Sequence, residues 1–226
     1  MNIHRVCMRD QIRNAILARI LDGTYPPGTR LKEMELARAF NVSQAPIREA
    51  LRELETLRLV ESERYRGTRV CSIDLKQLRE AYELRCEIEA AAARRAPPCA
   101  DKDLKQLEAH IATMREARDR KDMEAFMKGA LDFHRLIVAM SNNQLFLHAW
   151  DHLAWDIRAR IAARHIGIRL YVEEREPIVE ALRAGDGERA GTLLRRLIDS
   201  YLAHLSEIER TVPAPEPEFL EARKAQ

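Results

Sequence analysis

The stretch Val42-Ser43-Gln44-Ala45-Pro46-Ile47-Arg48-Glu49-Ala50-Leu51 decides how the first third of this 226-residue chain folds. On a helical wheel of about 100° per residue, Ile47, Ala50, Leu51, Leu54 and Leu57 fall within a third of the circumference. Gln44, Arg48 and Arg52 occupy the adjoining face, one turn apart. The spacing predicts a helix from Ser43 to about Arg58, with an apolar back and long polar side chains beside it. Ser43 is placed to cap this helix by accepting from the Ala45 amide. Pro46 falls in the first turn, where its missing N–H does no harm.

Outward from this stretch, Asn41-Val42 reads as a tight turn and Lys32 to Phe40 as a short helix. A first helix is expected from about Val6 to Asp22 on the stripe Ile12, Ile16 and Ile20, with Leu17 and Leu21 beside it. Gly23 and the run Tyr25-Pro26-Pro27-Gly28 stop it. Beyond Arg58, Leu59-Val60-Glu61-Ser62 and Thr68-Arg69-Val70-Cys71 are strand candidates around a polar turn with Gly67 at its tip. Residues 1–73 thus read as three helices plus a two-stranded wing.

A helix that reads base edges in the major groove needs such a division: an apolar back, and hydrogen-bonding side chains near its N-terminal end. Arg matches the paired acceptors of guanine, and Gln matches adenine. Arg64, Arg66 and Arg69 around Gly67 form a basic loop able to reach the phosphate backbone or minor groove. The competing reading is a solvated face balanced by Glu49, Glu53 and Glu55. Charge does not decide between them: 13 Lys and Arg oppose 9 Asp and Glu in residues 1–72, and 25 oppose 27 in the remainder.

The opening stretch, together with Pro27-Gly28-Thr29-Arg30-Leu31, Glu35-Leu36-Ala37 and Arg66-Gly67, resembles the winged helix of the GntR family of bacterial transcription regulators. The resemblance implies DNA contacts from Met34, Ser43, Gln44, Arg48, Arg66 and Gly67. Ala45, Arg52 and Arg69 complete the candidate DNA-binding set. Gln44 stands where the family commonly has Arg, Ala45 where it has Thr, and Met34 where a polar or basic residue is frequent. Loss of a cation at Gln44 implies a different base preference and a shallower salt dependence.

After Asp74, which is placed as a cap, the chain reads as helical over 75–96, 102–119, 122–140, 143–165, 170–184 and 187–210, with Asn143 capping the fourth segment. Pro213, Pro215 and Pro217 make residues 211–226 an extended tail, expected to be mobile. Tyr82-Glu83-Leu84-Arg85, Ile88-Glu89-Ala90-Ala91-Ala92, Phe133-His134, Asn142-Asn143 and the run from Ile178 to Asp186 resemble the FCD effector domain of the FadR subgroup. The resemblance implies an antiparallel helical bundle over residues 74–210, built around a small-molecule pocket, dimeric, and often holding a divalent metal. In metal-binding relatives an Asp precedes the His of the Phe-His pair by four residues and two further His follow. Those positions here hold Ala130, Arg175 and Leu197, leaving His134 alone, so neither a metal nor another cofactor is expected.

Arg85 and Glu89 lie inside the apolar arc of Leu78, Tyr82, Ile88 and Ala92, and His134 lies in the arc of Phe126, Met127, Ala130, Ile137 and Val138. Two readings stay open. Arg85 pairs internally with Glu89 while His134 is a hydrogen-bonded core histidine, or Arg85, His134 and Arg175 supply the charge that holds an organic acid. The candidate effector-binding set is Tyr82, Arg85, Glu89, His134, Asn143 and Arg175. His148 and His152 have ligand spacing but face away from Phe146, Trp150, Leu153 and Ile157, which reads as an exposed or interface pair.

Composition narrows the classes further. Only 5% of residues are aromatic and only eight are glycine, which disfavours a sheet-rich fold. Cys7, Cys71, Cys86 and Cys99 form no CxxC pair, and no GxSxG, HExxH or phosphate loop occurs, so no enzyme is expected. No signal-peptide pattern and no apolar run of membrane length is present. The expectation is a mainly α, cytoplasmic regulator that binds a pseudo-palindromic double-stranded operator as a homodimer, with repression relieved by a small carboxylate effector. The rival is an architectural or constitutive DNA binder without a small-molecule ligand.

Overall fold

The structure, a computed structural model, describes residues 8–63, 67–72, 75–166 and 172–211. The Asp74 cap, Arg64, Arg66 and the tail beyond 211 lie outside these residues. The chain divides into two compact units at residues 74 and 75.

In the first unit α1 (Met8–Leu21), α2 (Glu33–Phe40) and α3 (Gln44–Thr56) form the helical part. Ile12, Ile16, Leu17 and Ile20 of α1 are buried, as are Ile47, Ala50, Leu51 and Leu54 of α3, and the two helices pack together. Arg9 and Arg13 reach Glu53 at 2.9 and 3.1 Å beside that seam. Asn41 takes a left-handed backbone, φ 53°, and its N–H donates to the Ala37 and Arg38 carbonyls, which produces the tight turn between α2 and α3. Ser43 sits at the start of α3 with an extended backbone, but its hydroxyl makes no capping bond, contrary to the expected bond to Ala45.

The sheet has three strands rather than two. β1 (Arg30–Leu31), β2 (Val60–Glu63) and β3 (Gly67–Val70) lie in the order β1-β3-β2, with Arg30 opposite Arg69 and Glu61 opposite Arg69 on the other side. A two-residue strand has no readable period. It exists because the Thr29 N–H donates to the Pro26 carbonyl across a turn with Gly28 at φ 84°, the chemistry of a type II turn. Gly28 then donates to Val70 and Val70 to Thr29, at 2.8 and 3.0 Å, which stitches β1 to β3.

The second unit comprises α4 (Leu75–Arg95), α5 (Asp101–Asp119), α6 (Met123–Met140), α7 (Gln144–Asp151), α8 (Trp155–Ile166), a 3-10 turn at Glu173–Arg175, α9 (Glu176–Arg183) and α10 (Gly187–Thr211). α4 packs on α10 and α6, and α5 packs on α6 and α9. Small residues let α10 approach α4 closely: a β-carbon on Gly191 would stand 2.8 Å from the Ala90 carbonyl oxygen. Asn143 caps α7 by accepting from the Leu145 and Phe146 amides.

The single helix expected over 143–165 is two helices, α7 and α8, separated at Ala154, whose φ is 48°. Five residues of continuous helix would turn Trp150 and Trp155 about 140° apart. The break instead brings both indoles into the core, with ring centroids 6.2 Å apart and 5% and 3% exposure.

Candidate functional site

The structure presents two candidate sites, one in each unit. In the first, the buried back of α3 leaves Ser43, Gln44, Ala45, Arg48 and Arg52 exposed on its outer face. Met34, 55% exposed, shares a surface recess with Arg38, Asn41, Ser43 and Gln44. Arg38, one turn after Met34 on α2, is a basic residue that the sequence reading passed over. Arg48 is engaged: its Nε and Nη2 donate to the Glu33 carboxylate at 3.1 and 2.7 Å. Its hydrogen bonds and charge hold the Glu33 carboxyl below its ordinary range. Gly67 opens β3 at φ 83°, where a side chain would be strained, and Arg69 is half-buried in the sheet. Arg66 lies outside the described residues.

In the second unit a cavity of about 70 Å³ is lined by Tyr82 and Arg85 of α4, Ala130 and His134 of α6, Arg175 of the 3-10 turn, and Ile198 and Tyr201 of α10, among others. Four of the six effector candidates therefore meet in one place. Glu89 lies behind the wall, and Asn143 is the α7 cap rather than a lining residue.

Glu89 is fully buried and accepts three hydrogen bonds. Oε1 takes Arg85 Nε at 2.6 Å and Trp150 Nε1 at 2.7 Å, while Oε2 meets His134 Nδ1 at 2.6 Å. Burial opposes its charge, but the Arg85 guanidinium, with the His134 and Trp150 bonds, outweighs burial and holds Glu89 down to about 2. Burial pushes His134 down to about 4, with Glu89 pulling the other way and Arg85 and Arg175 adding to the effect. Burial thus favours the neutral ring, in the direction of the internally hydrogen-bonded histidine, one of the two readings left open by the sequence. The Arg85–Glu89 pair is the internal one that the sequence allowed, yet Arg85 also faces the cavity and stacks 4.9 Å from the Trp155 ring centroid. Arg175 is 1% exposed and lies 5.9 Å from the Phe133 ring centroid.

A divalent metal does not fit this donor set. Ala130 and Arg175 line the cavity where the metal-binding pattern has ligands, and the third position holds the buried, apolar Leu197. His134 brings one imidazole, and two guanidinium groups share its wall. Among the described residues no group of three or more His, Cys, Asp or Glu is disposed to hold a metal ion. His148 and His152 are both exposed, with ring centroids 4.0 Å apart.

A winged helix-turn-helix joined in one chain to a helical bundle with a charged internal cavity defines a ligand-responsive DNA-binding regulator. Comparison with known proteins gives the family. The description "Bacterial regulatory proteins, gntR family" matches residues 8–70, and "FCD domain" matches residues 80–200. The chain is 34% identical over 200 residues, 88% of each sequence, to the Probable D-xylose utilization operon transcriptional repressor of Paenarthrobacter nicotinovorans. It is 29% identical over 218 residues to the HTH-type transcriptional repressor RspR of Escherichia coli, covering 93% of this chain and 88% of the relative. A GntR transcriptional regulator structure from Rhodococcus sp. RHA1 superposes with a TM-score of 0.68 at 25% identity, over 88% of this chain and 97% of that one. The chain belongs to the GntR family of bacterial transcription regulators and carries an FCD domain. It is a DNA-binding regulator, not an enzyme.

Proposed function

We propose that this protein is a cytoplasmic repressor that binds a pseudo-palindromic operator as a homodimer and is released by a small carboxylate held in the FCD cavity. The observation that carries the effector class is the wall itself: Arg85 and Arg175 line the cavity, and among the described residues no Asp or Glu does. Guanidinium forks in a desolvated site match a carboxylate in geometry and charge. A cavity of about 70 Å³ has room for roughly half a dozen non-hydrogen atoms, at about one water-sized probe each. Two relatives named as repressors support the sign of regulation. A cytoplasmic location agrees with a DNA-binding role, and no described helix is long and apolar enough to cross a membrane.

On the DNA side, Gln44, Arg48 and Arg52 read base edges, Ser43 and Arg69 contact phosphate, and Met34 and Ala45 pack against the groove. Ligand binding shifts the spacing of the two reading helices and so weakens simultaneous half-site contact. The test is to select bound DNA from a random pool, then titrate small carboxylates against the bound complex by fluorescence anisotropy. Carboxylates are expected to release the wild type. Arg175→Met should retain DNA affinity and lose the release. A wild type whose DNA binding and thermal midpoint are indifferent to every carboxylate would refute the effector reading and leave a constitutive binder.

A further inference from the structure

Resting on the DNA-binding reading above, we propose that Arg30, on the edge strand β1, is a minor-groove contact of the wing and makes operator affinity depend on A·T base pairs bordering each half-site. Residues directly opposite each other in an antiparallel pair point to the same face of a sheet. Arg30 stands opposite Arg69, and Arg69 stands opposite Glu61, so the three form one row across β1, β3 and β2. Leu31, Val60, Thr68 and Val70 alternate with that row and are buried, which turns Arg30 and Arg69 to the outer face. Two arginines side by side repel, and the row holds one carboxylate, on the far side of Arg69. Arg30 is exposed, and among the described residues it makes no hydrogen bond or ion pair. Arg69 Nε is buried and also lacks an acceptor there. Uncompensated cations paired across two strands fit a polyanion on this face.

The guanidinium of Arg30 leans along β3 toward the start of that strand. A β-carbon on Gly67 would stand 3.4 Å from Arg30 Nε and 3.7 Å from Nη2, so the planar cation lies against backbone that carries no side chain. This makes a thin, charged edge where the wing begins. The minor groove of B-DNA is about 6 Å wide, and over A·T tracts it is narrower and more negative, which draws arginine into it. A cation that met phosphate alone would be indifferent to the base pairs beneath it. A G·C pair puts the guanine amino group on the floor of this groove, a donor facing a side chain that can only donate. An A·T pair offers acceptors alone. Arg30 thus acts as a specificity residue, distinct from the α3 side chains that read the major groove.

The test uses the full chain and a DNA site selected from a random pool, with the base pairs bordering each half-site set to A·T, G·C or inosine·C. Inosine lacks the guanine amino group, so inosine·C matches A·T in the minor groove and G·C in the major groove. By fluorescence anisotropy the wild type is expected to bind the A·T and inosine·C sites alike and the G·C site roughly fivefold weaker or more. Arg30→Met should bring the three sites within about twofold of one another and lower the slope of log affinity against log salt by about one per half-site. Arg30→Lys, which keeps the charge and loses the planar fork, should restore the slope without the A·T preference. A side chain that merely braced the strand over Gly67 would lower the thermal midpoint and leave the discrimination intact. Discrimination unchanged in Arg30→Met therefore overturns the proposal, whatever the midpoint. Inosine·C behaving as G·C overturns the minor-groove contact, and a wild type indifferent to all three borders overturns the specificity, both leaving DNA binding standing. Recovery of no DNA from the pool overturns the DNA-binding reading with it.

Discussion

Replacing His134 with Asn isolates the buried network's effect on stability. Burial holds His134 down to about 4 against an ordinary 6.5. Below pH 6.5 the unfolded chain takes up a proton here that the folded chain refuses, so stability falls as pH drops from about 6.5 to about 4. One such group contributes at most about 1.4 kcal/mol per pH unit, on the order of 3 kcal/mol across the whole window. Glu89 acts lower. Its folded value of about 2 lies below the ordinary 4.5, so its contribution is present above 4.5 and lost between 4.5 and 2. The interval from 6.5 to 4.5 therefore isolates His134 within this pair. His134→Asn removes the titration, and its amide N–H can replace the Nδ1 donor to Glu89. Urea unfolding at half-unit pH steps should show the variant losing less stability than the wild type across that interval, by close to one proton of slope. Equal slopes in the two proteins would mean that His134 is not held neutral in the fold, and the reasoning built on it would go with that result.

Three further outcomes are expected. Glu33→Gln releases Arg48 from its 2.7 Å ion pair and should tighten operator binding several-fold at low salt, an advantage that fades as ionic strength rises; unchanged or weaker binding would exclude the pair as a competitor for DNA. Gln44→Arg should steepen the dependence of log affinity on log salt by about one per half-site, read from anisotropy titrations at several salt concentrations. A parallel slope would show that a cation at position 44 releases no counterion from the operator. Gly191→Ala forces a β-carbon to 2.8 Å from the Ala90 carbonyl oxygen, where backbone on both sides must shift. It should cost about 1–3 kcal/mol, visible as a lowered thermal midpoint, and an unchanged midpoint would show that α4 and α10 pack more loosely than described.

Where the fold was legible in the residues, a local rule was in force. The α3 face follows from the spacing of Ile47, Ala50, Leu51 and Leu54, and all four are buried. The α7 start follows from Asn143, whose side chain closes the expected cap. What the residues did not show was set by partners far along the chain. β1 exists through bonds to Val70, some forty residues away in sequence, and two residues carry no alternation to detect. The break at Ala154 has no glycine or proline to announce it. It is fixed by the burial of Trp150 and Trp155, which outweighs a strained backbone at one alanine.

The cavity shows the same division at the level of chemistry. Ala130 and Arg175, where ligands would be needed, could be read from the sequence as the loss of a metal site, because that judgement needs only residue identity. The protonation of His134 could not. It depends on Glu89, 45 positions away on α4, and Glu89 depends in turn on Trp150, 61 positions further on. A histidine on an apolar arc can be a cation, a donor or an acceptor, and the arc alone does not choose among them. Arg85 Nε, Trp150 Nε1 and His134 Nδ1 converge on the two carboxylate oxygens of Glu89, and only the fold brings the three together.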